Sequence, residues 1–136
     1  MSEQENQEVN QKGQATFEQL RINVLMWART KGIISSTKAP TPEVFKGQLK
    51  KMREECGEMC DAIDAYLNAE FSHENLEEVI DGFGDALVTI IINSFLLGIH
   101  PNDALQHAYD IIIRRNGKMV DGAFVKESVT EQPDEQ

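Results

Sequence analysis

The sequence has few cysteines, no long apolar run and a wide central gap in its basic residues. No Lys or Arg occurs between residues 54 and 113. The two cysteines, Cys56 and Cys60, lie four positions apart and are interpreted as small buried hydrophobes, not as a disulfide. The longest apolar stretch, Ala86 to Leu97, contains polar residues and is too short to cross a bilayer. Because residues 1–14 are polar and unlike a signal peptide, we expect a cytoplasmic protein without a membrane partner.

The charge is strongly acidic, but it is unevenly distributed. The 136 residues include 23 Asp and Glu against 13 Lys and Arg, so the net charge is −10. Residues 1–14 contribute −2 and residues 127–136 contribute −4, which leaves −4 for residues 15–126. A net acidic domain matches a nucleic-acid backbone poorly, so a nucleic-acid polymer is not an expected partner. The length predicts one domain over 15–126, between a disordered polar N-terminus (1–14) and a disordered acidic tail (127–136).

The spacing of apolar residues follows the helical period and predicts an all-α fold. The first helix begins near Phe17 and stops at Gly32, and the second begins at Thr41-Pro42 and runs to about Ala69. The third, from about Glu74 to Leu97, is apolar on most sides after Asp85, as in a bundle centre or an oligomer interface. A fourth spans about Asp103 to Arg115, and Asp121-Gly122 between short apolar stretches indicates a small hairpin.

Two groups of carboxylates lie at the edges of the apolar stripes of the second and third helices. They are Glu54, Glu55 and Glu58, and Glu78, Asp81 and Asp85. Each group shares one helix face, where like charges destabilise an isolated helix. The ordinary interpretation is a solvated acidic face. Three features favour a cation between the two groups instead: the apolar neighbours, the glycines inside both helices and the lack of nearby bases. Oxygen-rich sites of this kind suit Mg²⁺ or Mn²⁺.

These segments resemble the all-α nucleoside triphosphate pyrophosphohydrolases of the MazG type. The resemblance rests on Glu54-Glu55-x-x-Glu58, on Asp85-Ala-Leu-Val, and on flanking segments in the expected order. The flanking segments are Trp27 to Ile34, Gln48 to Glu58, and Arg114 to Lys126, the last of which is similar to small phage-type members. The family's second motif is usually Glu-x-x-Asp, whereas Gly82 stands three residues before Asp85 here. Asp81 or Glu78 therefore takes the part of the missing Glu.

The resemblance implies a four-helix bundle that hydrolyses a nucleoside triphosphate to the monophosphate and pyrophosphate with Mg²⁺. Glu55, Glu58 and Asp85 are the expected ligands, with Asp81 or Glu78 completing the set, and Glu54 is a further ligand or the base that orients water. It also implies a homodimer or homotetramer in which a neighbouring subunit helps to build the site. The phage-like C-terminal segment favours control of one deoxynucleotide, such as dGTP or dCTP, over house-cleaning.

Other residues are candidates for binding the nucleotide. Basic side chains are expected to neutralise the phosphate charge that the metal does not. Gln48 is a further candidate, because it belongs to the second-helix segment that resembles the family. Asn93, inside the apolar third helix, binds either the nucleotide or another helix. Trp27 either stacks on a base or belongs to the core. The basic candidates are Lys51, Arg114, Arg115 and Lys118.

Two alternatives remain beside this hypothesis. The first is a non-catalytic helical dimer that uses its acidic face to dock another protein. The second is the related enzyme phosphoribosyl-ATP pyrophosphohydrolase.

Overall fold

The computed structural model describes residues 13–127, so most of the two termini predicted to be disordered lies outside the described residues. Four helices and one strand pair are present, and the predicted all-α character with a small β element is confirmed. The chain divides into two compact units, Met1–Ile99 and His100–Gln136. The elements are α1 (Phe17–Thr30), α2 (Pro42–Asn68), α3 (His73–Leu96), α4 (Pro101–Ile112), β1 (Gly117–Val120) and β2 (Ala123–Lys126).

The ends of α1 and α2 follow from local capping chemistry. At the start of α1, Thr16 and Gln19 form a reciprocal capping box. Gly32, at φ +76°, turns the chain out of the helix as predicted. At the start of α2, Thr41 Oγ1 accepts a hydrogen bond from Val44 N, and Pro42 occupies the first helical position.

The link between α2 and α3 is short and strained. Glu70 and Phe71 both have positive φ, a conformation that is uncommon outside glycine. The Phe71 ring contacts the Tyr66 ring edge-on at 5.2 Å, which holds the turn against the end of α2. Because the link is only a few residues long, α2 and α3 run antiparallel and form the main helix pair of the first unit.

The core of the first unit lies where α1 meets the C-terminal half of α3. Its buried side chains are Leu25, Ala28, Ile34, Ile91, Ile92 and Leu96. Further along α3, Gly82 allows a very close approach to α2, since a Cβ placed there would lie 3.0 Å from the Cα of Met59. The glycine inside this helix therefore has a packing reason.

On its other side α3 carries a row of exposed large apolar residues, which we call the α3 apolar stripe. It consists of Ile80, Phe83, Leu87, Ile90 and Leu97, with exposed fractions between 40% and 64%. Steps of three, four and seven residues put them on one face of the helix. By length and composition α3 also meets the test for a membrane-crossing helix, with a mean hydropathy of 1.6 in its most apolar window, a test that core helices of globular proteins pass as well.

The second unit contains α4 and the hairpin. Helix α4 starts two residues before the predicted Asp103 and ends three before Arg115, because His100 caps it through its ring nitrogen and Pro101 takes the first helical position. No residue of α4 is buried. The predicted hairpin is confirmed, with Asp121 and Gly122 at positive φ in the turn.

Candidate active site

The first unit contains a cavity of about 460 Å³ bounded by α1, α2 and α3. Its walls combine carboxylates, a lysine, an indole ring and aliphatic side chains. The lining residues are Trp27, Ile33, Gly47, Gln48, Lys51, Glu55, Asp85, Val88, Thr89 and Ile92. Five of the predicted site residues therefore meet in one place, namely Trp27, Gln48, Lys51, Glu55 and Asp85.

Glu55 is the carboxylate that the fold encloses. It is 8% exposed, and its Oε1 lies 2.7 Å from Nζ of Lys51, one turn earlier on α2. The Lys51 side chain is half exposed. Its hydrogen bond to Glu55, followed by the attraction of the same carboxylate, raises the pKa of Lys51 above its ordinary value. A cationic group thus already binds the buried carboxylate.

Asp85 is exposed and lines the same cavity from α3. The other predicted acids on α2 and α3 are also exposed but are not among the lining residues, namely Glu54, Glu58, Glu78 and Asp81. Glu54 has only a loose contact, 4.0 Å from Nζ of Lys50. Within residues 13–127, no three His, Cys, Asp or Glu side chains are grouped closely enough to hold a metal ion. The structure therefore brings Glu55 and Asp85 to one cavity and leaves Glu54, Glu58, Glu78 and Asp81 on the surface.

Asn93 fixes the relation between the two helices that carry these acids. Its side-chain nitrogen donates to the backbone oxygens of Gln48 at 3.0 Å and of Thr89 at 2.8 Å. The hydroxyl of Thr89 donates in turn to Ala86 O at 2.7 Å. The side-chain nitrogen of Asn93 is thus used between protein groups on α2 and α3. Of the two roles predicted for Asn93, the helix-to-helix role is the one seen.

The remaining wall of the cavity is apolar. Val88 and Ile92 from α3 and Ile33 after α1 form it, and Trp27 stands beside them with 47% of its surface exposed. Trp27 is therefore not a core residue in this chain, and its ring is accessible to a flat ligand. Thr89 and Ile33 were not predicted as site residues; a threonine within an apolar helical run was the available signal for Thr89.

The predicted phosphate-binding residues outside α2 belong to the second unit. Arg114 and Arg115 follow α4, Lys118 lies in β1, and all three side chains are exposed. Of the predicted basic residues, Lys51 alone lines the cavity of the first unit.

Comparison of the chain with protein-family models, with curated proteins and with solved structures finds no match.

Proposed function

We propose that this protein hydrolyses a nucleoside or deoxynucleoside triphosphate to the monophosphate and pyrophosphate, with Mg²⁺ or Mn²⁺ as cofactor. The observation that carries the proposal is the cavity in which the buried Glu55 and the exposed Asp85 lie near an exposed indole. Carboxylates from two helices suit a hard cation, and Glu55 already binds a cationic group. In the same proposal the four helices form a bundle of the MazG type.

Each acid has a role in this proposal. Glu55, Glu58 and Asp85 bind the metal, Asp81 or Glu78 completes the set, and Glu54 is a ligand or orients the water. When bound, the metal supplies charge neutralisation and a more acidic water. Water adds across the anhydride bond between the α and β phosphorus atoms; its oxygen enters one product, and the bridging oxygen leaves with the other.

The nucleotide is held by groups around the cavity. The base stacks on Trp27, and the Gln48 amide supplies a polar contact, while Asn93 holds α3 to the backbone of Gln48. Lys51 neutralises phosphate charge that the metal does not. Because the metal mediates recognition, the acidic chain binds a small triphosphate but no nucleic-acid polymer. In this proposal it binds no membrane and acts in the cytoplasm.

The protein associates with itself as a homodimer or homotetramer. The α3 apolar stripe supports this, because five large apolar side chains along one helix are each at least 40% exposed, and large exposed apolar patches mark interaction sites. Ile90→Glu places a charge inside the stripe, and sedimentation should then show a smaller species than for the wild type. A wild-type protein that sediments as a stable, active monomer would rule out this part of the proposal.

The activity is tested by pyrophosphate release from the standard ribo- and deoxynucleoside triphosphates, dGTP and dCTP included, with and without Mg²⁺. Glu58→Gln should reduce turnover at least about a hundredfold while the fold stays intact, because Glu58 is exposed. Asp64→Asn, also exposed on α2, removes the same charge from a residue that has no role in the proposed site and should leave turnover unchanged. Turnover of Glu58→Gln equal to that of the wild type contradicts the site.

A second candidate function is favoured by the exposure of five of the six acids, all but Glu55. In this alternative the acidic face docks another protein and no reaction is catalysed. No turnover of any nucleotide, together with no shift in melting temperature on adding Mg²⁺, supports the docking protein. Turnover of phosphoribosyl-ATP alone assigns the related pyrophosphohydrolase instead.

A further inference from the structure

The ion pair between Lys51 and Glu55 has a distinctive position in the first unit. Glu55 is the one carboxylate among the described residues that is both buried and part of the cavity, and its ionic partner is the ammonium of Lys51 at 2.7 Å. Both partners of this ion pair line the cavity. A divalent cation that binds Glu55 from the cavity has to displace the ammonium.

The two side chains differ in how easily they move. Glu55 is held among packed groups, whereas the Lys51 side chain is about half exposed. Lysine has a compact charge on a flexible four-carbon stem, so its ammonium can rotate away at little cost while the carboxylate stays in place. Because Lys51 itself lines the cavity, the displaced ammonium remains within reach of a ligand bound there.

We propose that Lys51 competes with the metal for Glu55. In the metal-free protein the Lys51 ammonium binds Glu55, and when the metal binds, the ammonium moves to the triphosphate. This inference rests on the proposed function, since it assigns a regulatory and substrate-positioning role within the same site. It makes metal affinity and triphosphate affinity interdependent. Metal binding alone has to overcome the ion pair, whereas metal and triphosphate together give the ammonium a new anionic partner.

Lys50 provides a matched control. It is the preceding residue on α2, its side chain is 80% exposed, and its ammonium is 4.0 Å from Glu54, at the limit of an ion pair. Lys50→Met and Lys51→Met remove the same charge from neighbouring positions. Each variant loses one positive charge, so any general increase in cation affinity appears in both. Only Lys51→Met also frees the Glu55 carboxylate from its ionic partner.

The experiment measures Mn²⁺ binding to the full chain without nucleotide, by the loss of the free-ion signal in electron paramagnetic resonance. Lys51→Met should bind Mn²⁺ about five- to tenfold more tightly than the wild type, the latter corresponding to 1.4 kcal/mol. Lys50→Met should differ by less than about twofold, as expected of an exposed pair. At saturating Mn²⁺, Lys51→Met should bind an α,β-methylene triphosphate analogue more weakly than the wild type, although it binds the metal better.

A double variant assigns the effect to the carboxylate. In the Glu55→Gln background, the change Lys51→Met should no longer increase Mn²⁺ affinity, because the competitor has lost its partner. Circular dichroism of every variant at the same concentration verifies that the fold is intact.

The outcomes separate this inference from the proposed function. If the wild type binds Mn²⁺ and Lys51→Met binds it equally or more weakly, Lys51 is not a competitor, and the metal site stands without it. If neither protein binds Mn²⁺, both proposals are overturned. If only Lys51→Met binds Mn²⁺, the competition is strong enough to keep the metal out in the absence of nucleotide, and the inference is supported.

Discussion

The close contact between α2 and α3 predicts the effect of replacing Gly82 by alanine. The added Cβ would lie 3.0 Å from Cα and 3.4 Å from Cβ of Met59. Favourable contacts between carbon atoms occur at about 3.5–4.0 Å. The nearest atom belongs to the backbone of α2, so no side-chain rotation relieves the contact. The two helices have to separate locally.

The size of the effect follows from two opposing contributions. Alanine in a helix interior is about 1 kcal/mol more favourable than glycine. Overpacking of a tight contact costs about 1–3 kcal/mol. The free energy of unfolding of Gly82→Ala should therefore be lower than that of the wild type by up to about 2 kcal/mol. Gly57→Ala is the matched control, because nothing lies within 4 Å of its added Cβ and it should gain the full 1 kcal/mol or so.

The measurement is urea unfolding followed by circular dichroism at a fixed protein concentration and without metal, since self-association and ligand binding both change apparent stability. Equal m-values show that the variants expose the same amount of surface area on unfolding. The difference between the two variants isolates the packing cost. If Gly82→Ala proves as stabilising as Gly57→Ala, α2 and α3 are not in contact at this point, and the reasoning from the helix pair is refuted.

Three further predictions test other contacts. Asn93→Ala should lower the free energy of unfolding by about 1–3 kcal/mol, because the amide that joins α2 to α3 is lost; Ser94→Ala, which removes only a bond within α3, should cost less in the same urea experiment. Thr16→Ala should cost about 1 kcal/mol through loss of the helix cap, measured by thermal unfolding, and no loss would mean that α1 frays at this end. In metal-free protein, Lys51→Met should lower the free energy of unfolding by a constant amount up to the ordinary lysine pKa of 10.5. This difference should disappear as the pH rises through the pKa of Lys51 in the folded protein, which is higher. A difference that persists at higher pH is not due to the ion pair with Glu55.

Helix ends were predictable where the sequence contains a local stop or start signal. Gly32, Thr41-Pro42 and Gly98 each act within one turn of chain, so the bounds of α1, α2 and α3 agree with expectation to within two residues or so. Helix α4 begins two residues before the predicted Asp103, because Pro101 lacks an N–H and suits the first helical position.

The candidate site was predictable in composition but not in arrangement. Spacing on one helix placed Glu54, Glu55 and Glu58 within a turn, yet it gave no means of telling which acid faces the neighbouring helix. That depends on how α2 is rotated against α3, which is set by the contact at Gly82. Burial of Glu55 and its pairing with Lys51 are therefore tertiary properties.

Two contacts between α2 and α3 are separated by the same number of residues on each helix. Met59 follows Gln48 by 11 residues, and Gly82 precedes Asn93 by 11, so the same two faces meet again after three turns. An 11-residue repeat corresponds to about 3.67 residues per turn, which does not favour a left-handed supercoil. The α3 apolar stripe has the seven-residue period that does. Helix α3 thus has an 11-residue spacing between its contacts with α2 and a seven-residue spacing between exposed apolar residues on its other side.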